Sequence, residues 1–185
     1  MQLTGQETLP VSQAQAWGAL NDAELLKSSI QGCESLTVVA ENEFEALLTV
    51  AIGPVKAKFK GKLRLSDLQP PSSYQLAFEG SGGMAGHGKG TAQVRLEAQG
   101  PHQTLLHYEV SASVGGKIAQ IGSRLVDMAA QKMAGDFFAA FNTALQERYG
   151  AAPVEVAAAA ATPSLWRRLL AWYLGWLGSI FSRKH

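Results

Sequence analysis

KIAQIGSRLVDMAAQKMAGDFFAAFNTALQER, residues 117–148, contains no proline and repeats apolar side chains at helical spacing: Ile118, Ile121, Leu125, Ala129, Met133, Phe137, Phe141 and Leu145. A continuous helix of this length would run about 48 Å, enough to cross a whole small sheet. Immediately upstream, Gly115-Gly116 closes a series of segments with period two. Phe44, Ala46, Leu48, Val50 and Ile52 alternate with residues 43–51 of the other parity. After Gly53-Pro54, Val55, Ala57, Phe59, Gly61, Leu63 and Leu65 alternate with Lys56, Lys58, Lys60, Lys62 and Arg64. Such alternation marks strands with one buried and one wet face. Tyr74, Leu76 and Phe78, then Ala92, Val94 and Leu96, then Leu106 to Val114 continue it, separated by Pro70-Pro71, the glycine-rich 80–90 and Gly100-Pro101. Before them, Leu3 to Pro10 reads as a first strand. Ser12 with Gln15 reads as a capping box, and Asn21-Asp22 opens a second short helix carrying Leu25, Leu26 and Ile30. One strand, two short helices, about six antiparallel strands and a long helix make an α+β domain with the helix on one sheet face.

The chain has 185 residues, 46% of them hydrophobic, which suits one globular domain with appendages. Residues 1–150 form that domain. Residues 151–163, AAPVEVAAAAATP, have little to pack and read as a linker. Residues 164–185 read as a separate amphipathic helix. Of 16 basic and 15 acidic residues, four cations and no acid lie in 164–185 and one acid lies in the linker. That leaves 12 basic and 14 acidic residues in 1–150. A cationic tail on a slightly acidic body is the asymmetry of a membrane-surface segment. Between Arg168 and Arg183 stand 14 uncharged residues. They make about 21 Å of helix against a bilayer core of roughly 30 Å, so the expectation is an in-plane anchor. Trp166, Arg167, Arg168, Trp172, Tyr173, Trp176, Phe181, Arg183 and Lys184 are its candidate membrane contacts, with aromatic rings at headgroup level and cations toward anionic lipid. The start, MQLTGQETLP, lacks the features of an export signal, and Cys33 is the lone cysteine. The expected location is the cytoplasmic face of a membrane, as a peripheral protein.

Chemistry-bearing motifs are few. Gly83, Gly88 and Lys89 match GxxxxGK in form, but Gly90 stands where a phosphate loop needs Ser or Thr, and a strand pattern follows in place of a helix. His87, His102, His107 and His185 show no ligand spacing, Cys33 has no base beside it, and no carboxylate pair is set among apolar residues. The expectation is a non-catalytic protein with no tightly bound cofactor. Lys56, Lys58, Lys60 and Lys62 with Arg64 form a cationic stripe: a solvated strand face, or a docking patch for anionic lipid or an acidic partner. Nucleic acid fits poorly, because no aromatic residues interleave with the lysines.

Three words stand in order along the body: IQGCESL at 30–36, IGPVKAKFKG at 52–61 and VGGKIAQIGSRL at 114–125, with Phe137-Phe138 beyond them. Together they resemble the G-subunit family of carbon monoxide dehydrogenase, within the START-like superfamily. Gln31 departs from that pattern, which usually has proline there. The resemblance implies a helix-grip fold, a curved antiparallel sheet around a long C-terminal helix with a cavity between them. It also implies an accessory role to a molybdenum-containing carbon monoxide dehydrogenase or a related molybdenum hydroxylase. Membrane attachment of that enzyme and carriage of an isoprenoid quinone, menaquinone or ubiquinone, are the roles it suggests. In such a fold Phe59, Leu63, Phe78, Met84, Tyr108, Ile121, Leu125, Met128 and Met133 are the residues expected to face the gap and hold a hydrophobic small molecule.

Overall fold

The computed structural model describes residues 1–150. The reading of 151–163 as a linker and of 164–185 as a membrane-contacting helix lies outside the described residues. The chain begins with β1 (Gln2–Leu9), α1 (Gln13–Leu20) and α2 (Ala23–Ser29). Then come β2 (Cys33–Ala40), β3 (Glu43–Ile52), β4 (Val55–Gln69) and β5 (Ser73–Ser81). A 3-10 turn at Gly83–Ala85 leads to β6 (His87–Gly100) and β7 (Gln103–Gly115), followed by α3 (Lys117–Gln120) and α4 (Ser123–Tyr149). All seven strands form one antiparallel sheet in the order β1-β7-β6-β5-β4-β3-β2. This is the α+β arrangement anticipated from the strand and helix order, in the helix-grip form that the resemblance implied.

Local chemistry accounts for the entry into each short helix. Ser12 accepts from the Gln15 amide while the Gln15 side chain accepts from the Ser12 amide, which satisfies two free donors of α1. Asp22 accepts from the amides of Glu24 and Leu25 at the start of α2 and also pairs with Arg148 near the end of α4. These caps join the helical layer at one end of the sheet. Gln31 is exposed in the turn before β2; the Cys33 amide closes the turn by donating to the Ile30 carbonyl, and the Thr49 amide of β3 donates to the Gly32 carbonyl.

The helical stretch is not continuous. Gly122, at φ 97°, separates α3 from α4. Only glycine takes that backbone freely, and the break resets the helical phase. The face of α4 that meets the sheet is therefore Val126, Ala130 and Met133, then Phe138, Phe141 and Leu145. It is not the Leu125–Ala129 row that extrapolation from Ile118 and Ile121 gives.

The two ends of the sheet differ in packing. Toward the Leu9, Leu96 and Leu106 end, α1, α2 and the last turns of α4 fill the space, with Phe141 and Leu145 fully buried. Phe137 stacks on Phe141, and Tyr108 stacks on Phe138 with centroids 5.3 Å apart. At the opposite end only a small cluster, Phe59, Ile118 and Val126, bridges sheet and helix.

Candidate ligand cavity

Between the inner sheet face and the first half of α4 lies a cavity of about 440 Å³. Its walls follow from strand alternation: Ala46, Leu48, Val50 and Ile52 of β3 stand beside Phe59, Gly61 and Leu63 of β4. Leu76 and Phe78 of β5 and Val110, Ala112 and Val114 of β7 continue the surface, and Ile118, Val126, Ala130 and Met133 close it from the helical side. Lys62, Glu79 and Lys89 border it, but by the same alternation their side chains belong to the outward face. The space is apolar, of a size that ligand sites commonly have, and offers dispersion contacts rather than charge.

Of the nine residues expected to face the gap, Phe59, Leu63, Phe78 and Met133 line it. Ile121 packs behind the lining, with Phe59, Ile118 and Val126. Tyr108 faces inward but sits in the filled half, held between Phe138 and the bare backbone of Gly5 opposite it. Burial pushes its phenol pKa up, with Glu7 adding to the effect. Met84, Leu125 and Met128 require correction, since all three are exposed. Leu125 and Met128 stand about 100° and about 160° around α4 from the lining residue Val126, on the side away from the cavity. Met84 occupies the 3-10 turn, where no strand alternation directs it inward. The lining also takes in Leu48, Val50, Ile52, Val110 and Ala112, which sequence reasoning did not single out. They carry the same period-two signal as ordinary core, and nothing in a single strand tells a filled wall from an empty one.

Polar chemistry near the cavity is sparse. Cys33 borders it, its Sγ donating to the Ser35 carbonyl at 3.4 Å, and burial pushes the thiol pKa up. Among the described residues no group of three His, Cys, Asp or Glu side chains could hold a metal ion. The GxxxxGK segment runs into β6, paired on both sides, so no helix N-terminus follows Lys89. Tyr74, fully enclosed beside Trp17, has its phenol pushed far up by burial and stays neutral.

The outer sheet face carries a broad trough of about 870 Å³ among Glu43, Glu45, Lys62, Arg64, Glu79 and Lys89, where both signs of charge mix. The lysine stripe of β4 is exposed here as expected, yet much of it is paired. Lys58 meets Glu34 at 2.8 Å, Lys60 meets Glu45 at 3.6 Å and Arg64 meets Glu43 at 2.7 Å. As an exposed docking patch it therefore offers less free charge than its sequence suggests. No helix among the described residues is long and apolar enough to cross a membrane.

The family model described as the G subunit of carbon monoxide dehydrogenase (CoxG) matches residues 5–146. A conserved protein from Geobacillus kaustophilus is similar in structure with a TM-score of 0.75 and 31% identity, over 80% of this chain and 96% of that one. A START superfamily protein from Mycobacterium smegmatis gives 0.63 at 11% identity, covering 80% of this chain and 98% of that one. The Zhui aromatase/cyclase from Streptomyces sp. R1128 gives 0.59 at 11% identity, with 83% and 98% covered. The last two likenesses concern fold alone. No curated protein matches the sequence.

Proposed function

Because the chain belongs to the CoxG family, the G subunits of carbon monoxide dehydrogenase, we propose that it is a non-catalytic accessory protein that carries an isoprenoid quinone between the membrane and a molybdenum-containing carbon monoxide dehydrogenase or related hydroxylase. The observation that supports this reading is the apolar cavity of about 440 Å³ at the loosely packed end of the domain. A cavity lined this way excludes ions and most metabolites, because burying an unpaired polar group costs about 2–7 kcal/mol. It accepts a flat, uncharged ring. At roughly 30 Å³ per water-sized group, the space takes on the order of 15 non-hydrogen atoms, enough for a menaquinone or ubiquinone head group. The polyprenyl chain then leaves through the opening. Phe59, Leu63, Phe78 and Met133 are the contacts from the expected set. The tail, through Trp166, Trp172, Trp176 and its four cations, keeps the carrier at the cytoplasmic face of the membrane, where the quinone pool lies.

The test is to purify the full-length chain with its membranes, extract it with organic solvent and identify bound quinone by mass spectrometry. Near-stoichiometric quinone in the parent and its loss in Leu48→Trp are expected. Repeated absence of quinone in the parent overturns carriage. A second reading, a structural adaptor that anchors or matures the dehydrogenase without a ligand, draws on the exposed lysines of β4. It requires that Lys56→Glu with Lys62→Glu abolish co-purification with the dehydrogenase while Leu48→Trp leaves it intact.

A further inference from the structure

The loosely packed end of the domain is built from the β3–β4 turn, the β5–β6 link with its 3-10 turn, the β7–α3 turn and the first turns of α4. Its sequence is one-sided in charge. Residues 51–60, 81–90 and 113–128 hold six cations against one acid, Asp127, although 1–150 as a whole is slightly acidic. Lys58 and Lys60 are paired. Lys56, Lys117 and Arg124 are exposed and make no ion pair among the described residues. The same end carries apolar side chains in water: Met84 is 84% exposed, Met128 57% and Leu125 47%. The 3-10 turn holding Met84 packs against α3, and α3 packs against the start of α4, which brings these side chains to one end. Leu125 and Met128, three apart, share the outer face of α4 beside Arg124. Single exposed hydrophobics need no explanation. Here five of the seven among the described residues, Met1 and Met133 included, belong to the cavity half, and the other two are Val38 and Val39 of β2.

Cations without partners around exposed, flexible apolar tips fit a surface that is anionic outside and hydrocarbon just beneath. Methionine suits a fluid partner with no fixed shape to match. We infer that this end of the domain is itself a docking surface for an anionic bilayer, with Met84, Leu125 and Met128 entering the headgroup boundary and Lys56, Lys117 and Arg124 facing anionic headgroups. The cavity reaches this end through Ile52, Val114 and Ile118. Docking would set the ligand space against lipid, independently of residues 164–185. The inference deepens the carrier reading in that respect, yet docking is measured on vesicles that hold no quinone, so either can fail alone.

The experiment uses residues 1–150, whose match spans nearly all of the separately crystallised Geobacillus chain, alongside the full-length chain. Flotation is compared on phosphatidylcholine vesicles and on vesicles with about one-third phosphatidylglycerol. The body is expected to float with the anionic vesicles only, to release as salt rises, and to lose on the order of a hundredfold in affinity in Lys56→Glu/Lys117→Glu/Arg124→Glu. Circular dichroism confirms the fold of that variant, and Arg95→Glu, at an exposed cation of β6 outside this surface, serves as control. Independently, Met84→Trp should shift its emission to the blue on anionic vesicles. Failure of 1–150 to float, or flotation untouched by the triple reversal with no shift at Met84→Trp, overturns the inference. So does binding of this surface to the dehydrogenase with none to vesicles, which makes it a protein interface.

Discussion

Ala130→Leu tests whether the space under α4 is real. Ala130 is half-buried on the helix face that closes the cavity. Leucine adds three carbons and is nearly as good a helix former as alanine. If they enter an apolar void without displacing neighbours, about 0.8 kcal/mol per methylene-sized group gives about 2.4 kcal/mol as a ceiling. Ordering the new rotamer takes back about 0.5–1 kcal/mol, which leaves a gain of about 1.5 kcal/mol. For a domain near 150 residues that gain raises Tm by about 3–6 °C. Three added carbons fill about 90 Å³, a fifth of the 440 Å³ available, so the quinone content of the purified protein should fall. Urea unfolding by linear extrapolation reads the stability, and solvent extraction reads the ligand. Ala16→Leu is the contrast: Ala16 is fully buried in the filled half, and overpacking there should cost about 1–3 kcal/mol. Destabilisation by Ala130→Leu of more than about 1 kcal/mol would refute the void. Stabilisation with unchanged quinone would refute the void as the binding place.

Leu145→Ala, at a fully buried position in the filled half, should lower the unfolding free energy by about 3–5 kcal/mol in the same assay. Gly5→Ala brings a methyl group into the Tyr108 ring that lies across it; a loss of about 1–3 kcal/mol is expected, largely relieved in the double variant with Tyr108→Leu. Arg148 beside Asp22, with the Leu25 amide, holds the Asp22 carboxyl below the usual carboxylate range. A lowered folded pKa means stabilisation that is present above the unfolded value of about 3.9 and lost as pH falls through the folded value. Asp22→Asn retains the cap, so its stability deficit at neutral pH should begin to shrink below about pH 4 and vanish only once pH is below the lowered folded value; a deficit independent of pH would show that the charge contributes nothing.

Much of the architecture is legible in the sequence because its causes are local. The alternation of β3 and β4 names the inward side chains residue by residue, and the observed register sets Phe44 opposite Leu63 and Leu48 opposite Phe59 on one face. Ser12 with Gln15 and Asp22 announce both short helices, since a cap needs only residues within one turn. The candidate site is legible in part. Phe59, Leu63 and Phe78 follow from strand parity, whereas Leu125 falls outside the site because a stripe of four-residue steps drifts about 40° per step around a helix, and Met128 lies on the far side of α4 from Val126. Met84 falls outside because hydrophobicity alone does not entail burial.

The sequence by itself determined the strand faces, the helix caps, the cationic stripe of β4 and the excess of cations in 164–185, because each depends on side-chain order over a few residues. Tertiary structure alone decided which half of the sheet is filled. Leu106 and Val110 stand on the same face of the same strand, yet one is sealed in the filled core and the other lines a cavity. The difference lies in what arrives from the helical layer. α1, α2 and Phe141 with Leu145 fill one end, while Val126 and Ala130 are too short to fill the other. A void is the sum of volumes from elements distant in sequence, and no local pattern records that sum.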